Sequence, residues 1–189
     1  NGCWQFTPLF RRFLARIIYK YLDQEKMKAL YNKAMHYYED KRNYFAALKF
    51  ADLLKNREQI ALQIDRLLSQ KLGYDVFLSL EEYCLHLSDV YLEEYPRLVM
   101  AKAMLQAMEG DLPAFRKSEQ FLNRMLENCL PEKGKQIRKC QLFLKLIGPG
   151  GMTPELLEEA QELADQVYTS VDVMWDQLLV PGQISILHG

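Results

Sequence analysis

The sequence predicts an all-α fold: a superhelix of antiparallel helix hairpins. Three observations predict it. Apolar residues recur at the i, i+3, i+4, i+7 spacing of a helix face along nearly the whole chain. The polar breaks between those stretches are short enough to be turns and nothing more. Small residues stand where paired helices must cross, with Ala34 in one helix and Ala46 and Ala47 in the next. Small side chains at a crossing let helix axes approach, while larger residues above and below fill the gap.

The 189 residues are 49% hydrophobic, enough for one globular domain or a short helical array with a real core. A formal net charge of -1 argues against a dedicated nucleic-acid binder, which is usually strongly basic. Cys3, Cys84, Cys129 and Cys140 are widely spaced and form no C-x-x-C pair. With no signal-like opening segment, they read as reduced thiols in a cytoplasmic protein. No apolar run approaches the ~20 residues that a membrane helix needs. The chain begins with Asn1 and ends on Ile184 to Leu187 followed by His188-Gly189. Both ends read as cut, so a longer parent polypeptide is expected.

Trp4 and Phe6 alternate, as in the last strand of something upstream. Thr7-Pro8 then opens a helix, Thr as N-cap and Pro at the first helical position. That helix runs to about Leu22, with Phe10, Phe13, Leu14, Ile17 and Tyr21 as its apolar stripe. Arg11, Arg12, Arg16 and Lys20 form a basic face beside it. Phosphate contact is one use for such a face; an ordinary solvated helix side is the plainer one.

Asp23 caps the second helix, whose apolar face is Met27, Leu30, Tyr31, Ala34, Tyr37 and Tyr38. Asp40 to Asn43 is the turn, and Asn43 caps a third helix with Tyr44, Ala47, Leu48, Ala51 and Leu54 inward. Asn56 to Gln59 is a capping box opening a fourth helix with Ile60, Ile64, Leu67 and Leu68 on one side, ended by Gly73. Ser79 to Glu82 is a second capping box leading through Leu87, with Asp75 an equal candidate for the start. Ser88-Asp89 begins a short segment.

Pro96 to Asp111 and Leu112 to Asn128 make a second hairpin with Gly110-Asp111 as its turn. Leu98, Ala101, Leu105 and Met108 line one helix; Phe115, Ser118, Leu122, Met125 and Leu126 line the other. Pro131 starts a further helix with Ile137, Cys140, Leu144 and Ile147 inward, stopped at Gly148-Pro149-Gly150-Gly151. Thr153-Pro154 restarts, giving Leu156, Ala160, Leu163, Ala164 and Val167. Met174, Trp175, Leu178 and Leu179 suggest one more helix, ended by Val180-Pro181-Gly182. Two hairpins thus share a plan: a small residue at the crossing, a polar turn, an aromatic-bearing second helix. Such pairs in series stack into a superhelix.

Leu30, Ala34, Tyr37, Ala46 and Phe50 resemble the small and aromatic positions of a tetratricopeptide repeat, whose period is about 34 residues. A further resemblance covers roughly the first two thirds of the chain. Phe6-Thr7-Pro8-Leu9-Phe10-Arg11-Arg12-Phe13-Leu14 is similar to the "aromatic-x-x-LFR-x-FL" helix of large LuxR-type, MalT-like ATP-dependent transcriptional regulators. In them it joins the winged-helix part to the helical superhelix. Leu30-Tyr31-x-x-Ala34, Tyr37-Tyr38-Glu39, Asn43-Tyr44-x-Ala46-Ala47-Leu48, Tyr95-Pro96-Arg97-Leu98, Ala101-x-Ala103 and Gly110-Asp111 follow in the same order. The resemblance implies that residues 1–22 are the end of a winged helix with its junction helix, and that residues 23–189 are a tetratricopeptide-like helical superhelix. It implies a parent with a P-loop ATPase upstream and a DNA-binding helix-turn-helix downstream. The superhelix would receive a small-molecule or protein effector and contribute to self-association.

Other motifs point to no chemistry. No G-x-x-x-x-G-K-[ST] occurs. The glycine run at 148–151 lacks the Lys and Ser/Thr of a phosphate loop, and reads as a helix stop. Cys84 and His86 are two apart and so face different sides of a helix, and His36, His86 and His188 share no ligand spacing. Glu155, Glu158, Glu159 and Glu162, and the pairs Glu81-Glu82 and Glu93-Glu94, lie on outer faces, whereas paired catalytic carboxylates face each other across a substrate. No metal, cofactor or catalytic residue is expected in this stretch. Adjacent Tyr37 and Tyr38 cannot both face inward, and Tyr91 and Tyr95 lie beside Leu92, which already supplies the core. These four tyrosines are the candidate partner contacts, with repeat packing as the plainer role. The expected function is non-catalytic recognition of an effector or partner and contact with the parent's other modules. The alternative is a free-standing repeat adaptor that grips a peptide in its groove.

Overall fold

Capping chemistry sets the first hairpin. In the computed structural model, which describes residues 7–21, 23–70, 72–127, 129–147, 153–156 and 158–159, Asp23 accepts a hydrogen bond from the Lys26 amide at 2.8 Å. It thereby opens α2, Gln24–Asp40. Asn43 accepts from the Ala46 amide at 3.1 Å and opens α3, Tyr44–Leu53. Before them, α1 spans Pro8–Tyr21, with Thr7 Oγ1 3.4 Å from the Phe10 amide that it caps. These helices lie in a first compact unit, residues 1–56.

Helices α2 and α3 pack along each other. Phe50 lies stacked on Tyr38 at 5.6 Å between ring centres and tilted against Tyr31 at 6.1 Å. Met35, Ala47, Leu48 and Ala51 are buried. The inward face of α2 is rotated from the expected one. Met35 is its buried residue, whereas Leu30 and Tyr37 are 48% and 58% exposed. Of two overlapping stripes that the periodicity allows, packing takes the one meeting Phe50 and the alanines.

The second unit, residues 57–189, holds α4 (Arg57–Leu68), α5 (Tyr74–Leu78), α6 (Glu81–His86), α7 (Asp89–Leu92), α8 (Pro96–Met108), α9 (Leu112–Glu127) and α10 (Pro131–Ile147). Helix α8 is its centre, packed against α4, α6, α7, α9 and α10. Pro96, Leu98, Val99, Met100, Ala101, Ala103, Met104 and Leu105 are all buried. A helix buried over most of its circumference belongs inside, so the single stripe read from the sequence understates it, and only Arg97, Lys102 and Gln106 break its inner apolar surface. Met108, placed on that stripe, is 49% exposed because it lies in the last turn. Ile60, Ile64, Leu68, Leu80, Cys84, Phe115, Leu122, Ile137 and Leu144 are among the residues buried with it.

Two expected boundaries differ. Helix α4 ends at Leu68, and Gly73, with φ −71° and ψ 153°, is instead the extended N-cap of α5. Ser79 does not open a helix. It is the C-cap of α5, its hydroxyl donating to the Val76 carbonyl at 2.6 Å. Satisfying the carbonyl behind it proved the better use of the hydroxyl, so α5 and α6 are separate short helices.

Three interhelical turns share one backbone geometry. Arg42, Lys55 and Gly110 have φ of 55°, 53° and 80°. In each, the next residue's amide reaches back to a carbonyl five residues earlier: Asn43 to Tyr38, Asn56 to Ala51 and Asp111 to Gln106. This is the Schellman closure, which satisfies carbonyls that a helix end leaves without partners. Asn43 and Asp111, each the next residue in its turn, also cap the following helices α3 and α9. A turn that ends one helix and caps the next within three residues explains the tight hairpins.

Among the described residues the chain is all helical, with no strand. The strand expected near Cys3 to Phe6, the glycine run at 148–151 and the helices expected beyond Ala160 lie outside the described residues. Thr153 does cap a restart, accepting from the Leu156 amide at 3.3 Å.

Candidate functional site

In the second unit α7, α8 and α9 enclose an open groove of about 260 Å³. Its positions follow from how α9 is buried. Phe115, Ser118 and Leu122 turn inward, so Lys117, Phe121 and Arg124 form the next stripe over. Helix α8 contributes Lys102 and Gln106, one turn apart and half-buried. Leu92 and Val99 form an apolar base, and Asp89 stands on the α7 side.

The groove is rich in donors. Ser118 Oγ donates to Gln106 Oε1 at 2.9 Å, leaving the Gln106 amide nitrogen to donate elsewhere. Lys102 Nζ touches the Leu87 carbonyl at 3.4 Å. The Arg124 guanidinium lies over the Phe121 ring at 5.2 Å, which orients the charge and shields one face of the ring. Lys102, Lys117 and Arg124 face one carboxylate, Asp89.

A second groove of about 300 Å³ between α9 and α10 is chemically different. Gln141 Nε2 donates to Asn123 Oδ1 at 2.7 Å, and Lys145 pairs with Glu159 at 3.5 Å. Desolvation raises the Glu119 carboxyl, while Arg116 and Lys145 draw it back. Asn123 and Gln141 of its lining thus satisfy each other, and Lys145 is neutralised from outside it.

The tyrosines singled out from the sequence line neither groove. Tyr38 packs on Phe50, and Tyr37 meets the edge of Tyr38 at 5.4 Å with Lys41 Nζ 5.9 Å away. Tyr91 is half-buried in α7. Tyr95 is the N-cap of α8, its hydroxyl raised by desolvation first and then by Glu94, Asp65 and Glu58. On the basic face Arg12 and Arg16 are exposed, while the side chains of Arg11 and Lys20 lie outside the described set. On the same helix Leu9 is 80% and Phe13 55% exposed, and Phe10 stacks on Phe13 at 6.2 Å.

Cys84 is buried and His86 exposed, so the two do not converge. Desolvation pushes the Cys84 thiol up to about 12. The Glu109 carboxyl is raised by desolvation and then by its acidic neighbours Glu81 and Asp111; neither Glu81 nor Glu109 lines either groove. Among the described residues no group of three or more His, Cys, Asp or Glu is placed to hold a metal, and no helix is long and apolar enough to cross a membrane.

The cationic groove escaped the sequence reading because that reading followed apolar stripes. The signal was present: Lys117, Phe121 and Arg124 stand at i, i+4 and i+7. No family model, no curated protein and no solved structure matches the chain.

Proposed function

We propose that this chain is a non-catalytic recognition segment, a tetratricopeptide-like run of hairpins within a LuxR-type, MalT-like regulator. The observation that carries the repeat is the recurring turn. Arg42 and Gly110 occupy the same place in the same closure and stand two ~34-residue periods apart in the chain. The ordered resemblance from Phe6 to Asp111 supports the regulator. On this reading the chain is cytoplasmic and its partners are the parent's ATPase and DNA-binding modules, an effector and further copies of itself. Binding shifts the parent between closed and assembled states by its differential affinity for the two.

The second reading is a free-standing adaptor for a peptide. The open groove between α7, α8 and α9 favours it, since several helices contribute donors to one surface. The mass of the native polypeptide separates the two, measured by immunoblot with an antibody to this segment. A band several-fold heavier than 22.2 kDa supports the regulator. A band near 22.2 kDa sinks it and leaves the adaptor.

A further inference from the structure

We infer that the groove between α7, α8 and α9 docks an acidic peptide segment of a partner protein. The inference deepens the recognition reading and rests on it, but holds for the regulator and the adaptor alike. Three features select the occupant. The first is charge: Lys102, Lys117 and Arg124 line the groove against Asp89 alone. Lys102 makes a long contact, 3.4 Å, to the Leu87 carbonyl. The second is spacing. Lys117 and Arg124 are seven residues apart on α9, about 10.5 Å at helical rise. A segment in the polyproline II form, with three residues per turn at about 3.1 Å each, sets carboxylates three residues apart on one side at nearly that distance. The third is shape. The groove is open and, at about 260 Å³, falls below the volume that encloses a typical small ligand. A chain lying along it suits that form better than an engulfed metabolite. The Gln106 amide supplies a neutral donor for a backbone carbonyl, and the Phe121 ring an apolar contact. Asp89 disfavours a carboxylate at the α7 side, so the segment carries its charge toward α9.

The test uses the full 189-residue chain and fluorescence anisotropy. The probe is a labelled octapeptide with two Glu residues three apart; the control carries Lys at both places. Binding of the acidic probe alone is expected, weakening as salt rises from about 0.1 M to about 1 M and the Debye length falls from about 10 Å to about 3 Å. Lys117 and Arg124 are exposed, so K117E/R124E retains the fold, which its helical circular dichroism checks. It is expected to weaken binding about tenfold or more, and K117E alone by less. Lys145→Glu, in the other groove, leaves affinity within about twofold. The proposal is overturned if the two probes bind equally or not at all, or if K117E/R124E binds as the parent does. It is also overturned if inorganic phosphate displaces the probe as well as unlabelled peptide does.

Discussion

Arg97 on α8 grips Asp65 on α4 with two parallel hydrogen bonds, Nε to Oδ1 at 3.0 Å and Nη2 to Oδ2 at 2.7 Å. Both side chains are largely shielded, at 20% and 14% exposed. A planar fork on a carboxylate combines charge with fixed geometry. It joins helices far apart in sequence and sets the rotation of α4 on the central helix. Arg97→Ala is expected to cost about 2 kcal/mol, since it strands a shielded carboxylate. Arg97→Lys should fall between, keeping the charge but not the fork. Urea unfolding of both, with Asp65→Asn to complete a double-mutant cycle, measures the coupling.

The repeated turn makes a prediction of opposite signs. Gly110 at φ 80° has open space where a Cβ would go, so Gly110→Ala meets backbone strain alone and should cost about 1 kcal/mol. Arg42 and Lys55 already bear that strain at 55° and 53°. Arg42→Gly and Lys55→Gly should each stabilise by up to about 1 kcal/mol, less the extra freedom glycine gives the unfolded chain. Thermal melts of the three variants decide it.

Tyr37 and Tyr38 are neighbours with unequal roles. Tyr38 stacks on Phe50 in the α2–α3 contact, whereas Tyr37 is 58% exposed. Tyr38→Ala should cost about 2 kcal/mol or more and Tyr37→Ala less than about 0.5 kcal/mol. Equal losses in urea unfolding would contradict the packing.

Cys84 gives a pH dependence. Burial favours the neutral thiol, lifting it from the ordinary 9.0 to about 12. The folded form therefore holds its proton where the unfolded chain has released it. The stabilisation is complete below about pH 9 and is lost as pH rises toward 12, by up to about 1.4 kcal/mol per unit. Cys84→Ala should flatten that part of the stability profile. For the same reason iodoacetamide at pH 8 should modify the half-buried Cys129 well before Cys84, as peptide mass mapping would show.

Helix existence and most starts were legible from local chemistry. Asp23, Asn43 and Pro96 act within one turn of their own backbone, so nothing distant is needed to read them. Periodicity likewise exposed the stripe of α9. What it left open was rotation and rank. An apolar pattern on α2 admits two neighbouring faces, and only the fit against Phe50 chose the one with Met35. Ser79 offered a hydroxyl to either side, and the carbonyl of Val76 took it. The centrality of α8, the Arg97–Asp65 clamp and the convergence of Lys102, Lys117 and Arg124 join residues that are remote in sequence. The sequence alone thus determined most of the described helices, several of their caps and the hairpin turns, because those interactions are local. Which face is core and which charges share a groove was decided only by tertiary packing, because it depends on surfaces that meet after the helices have formed.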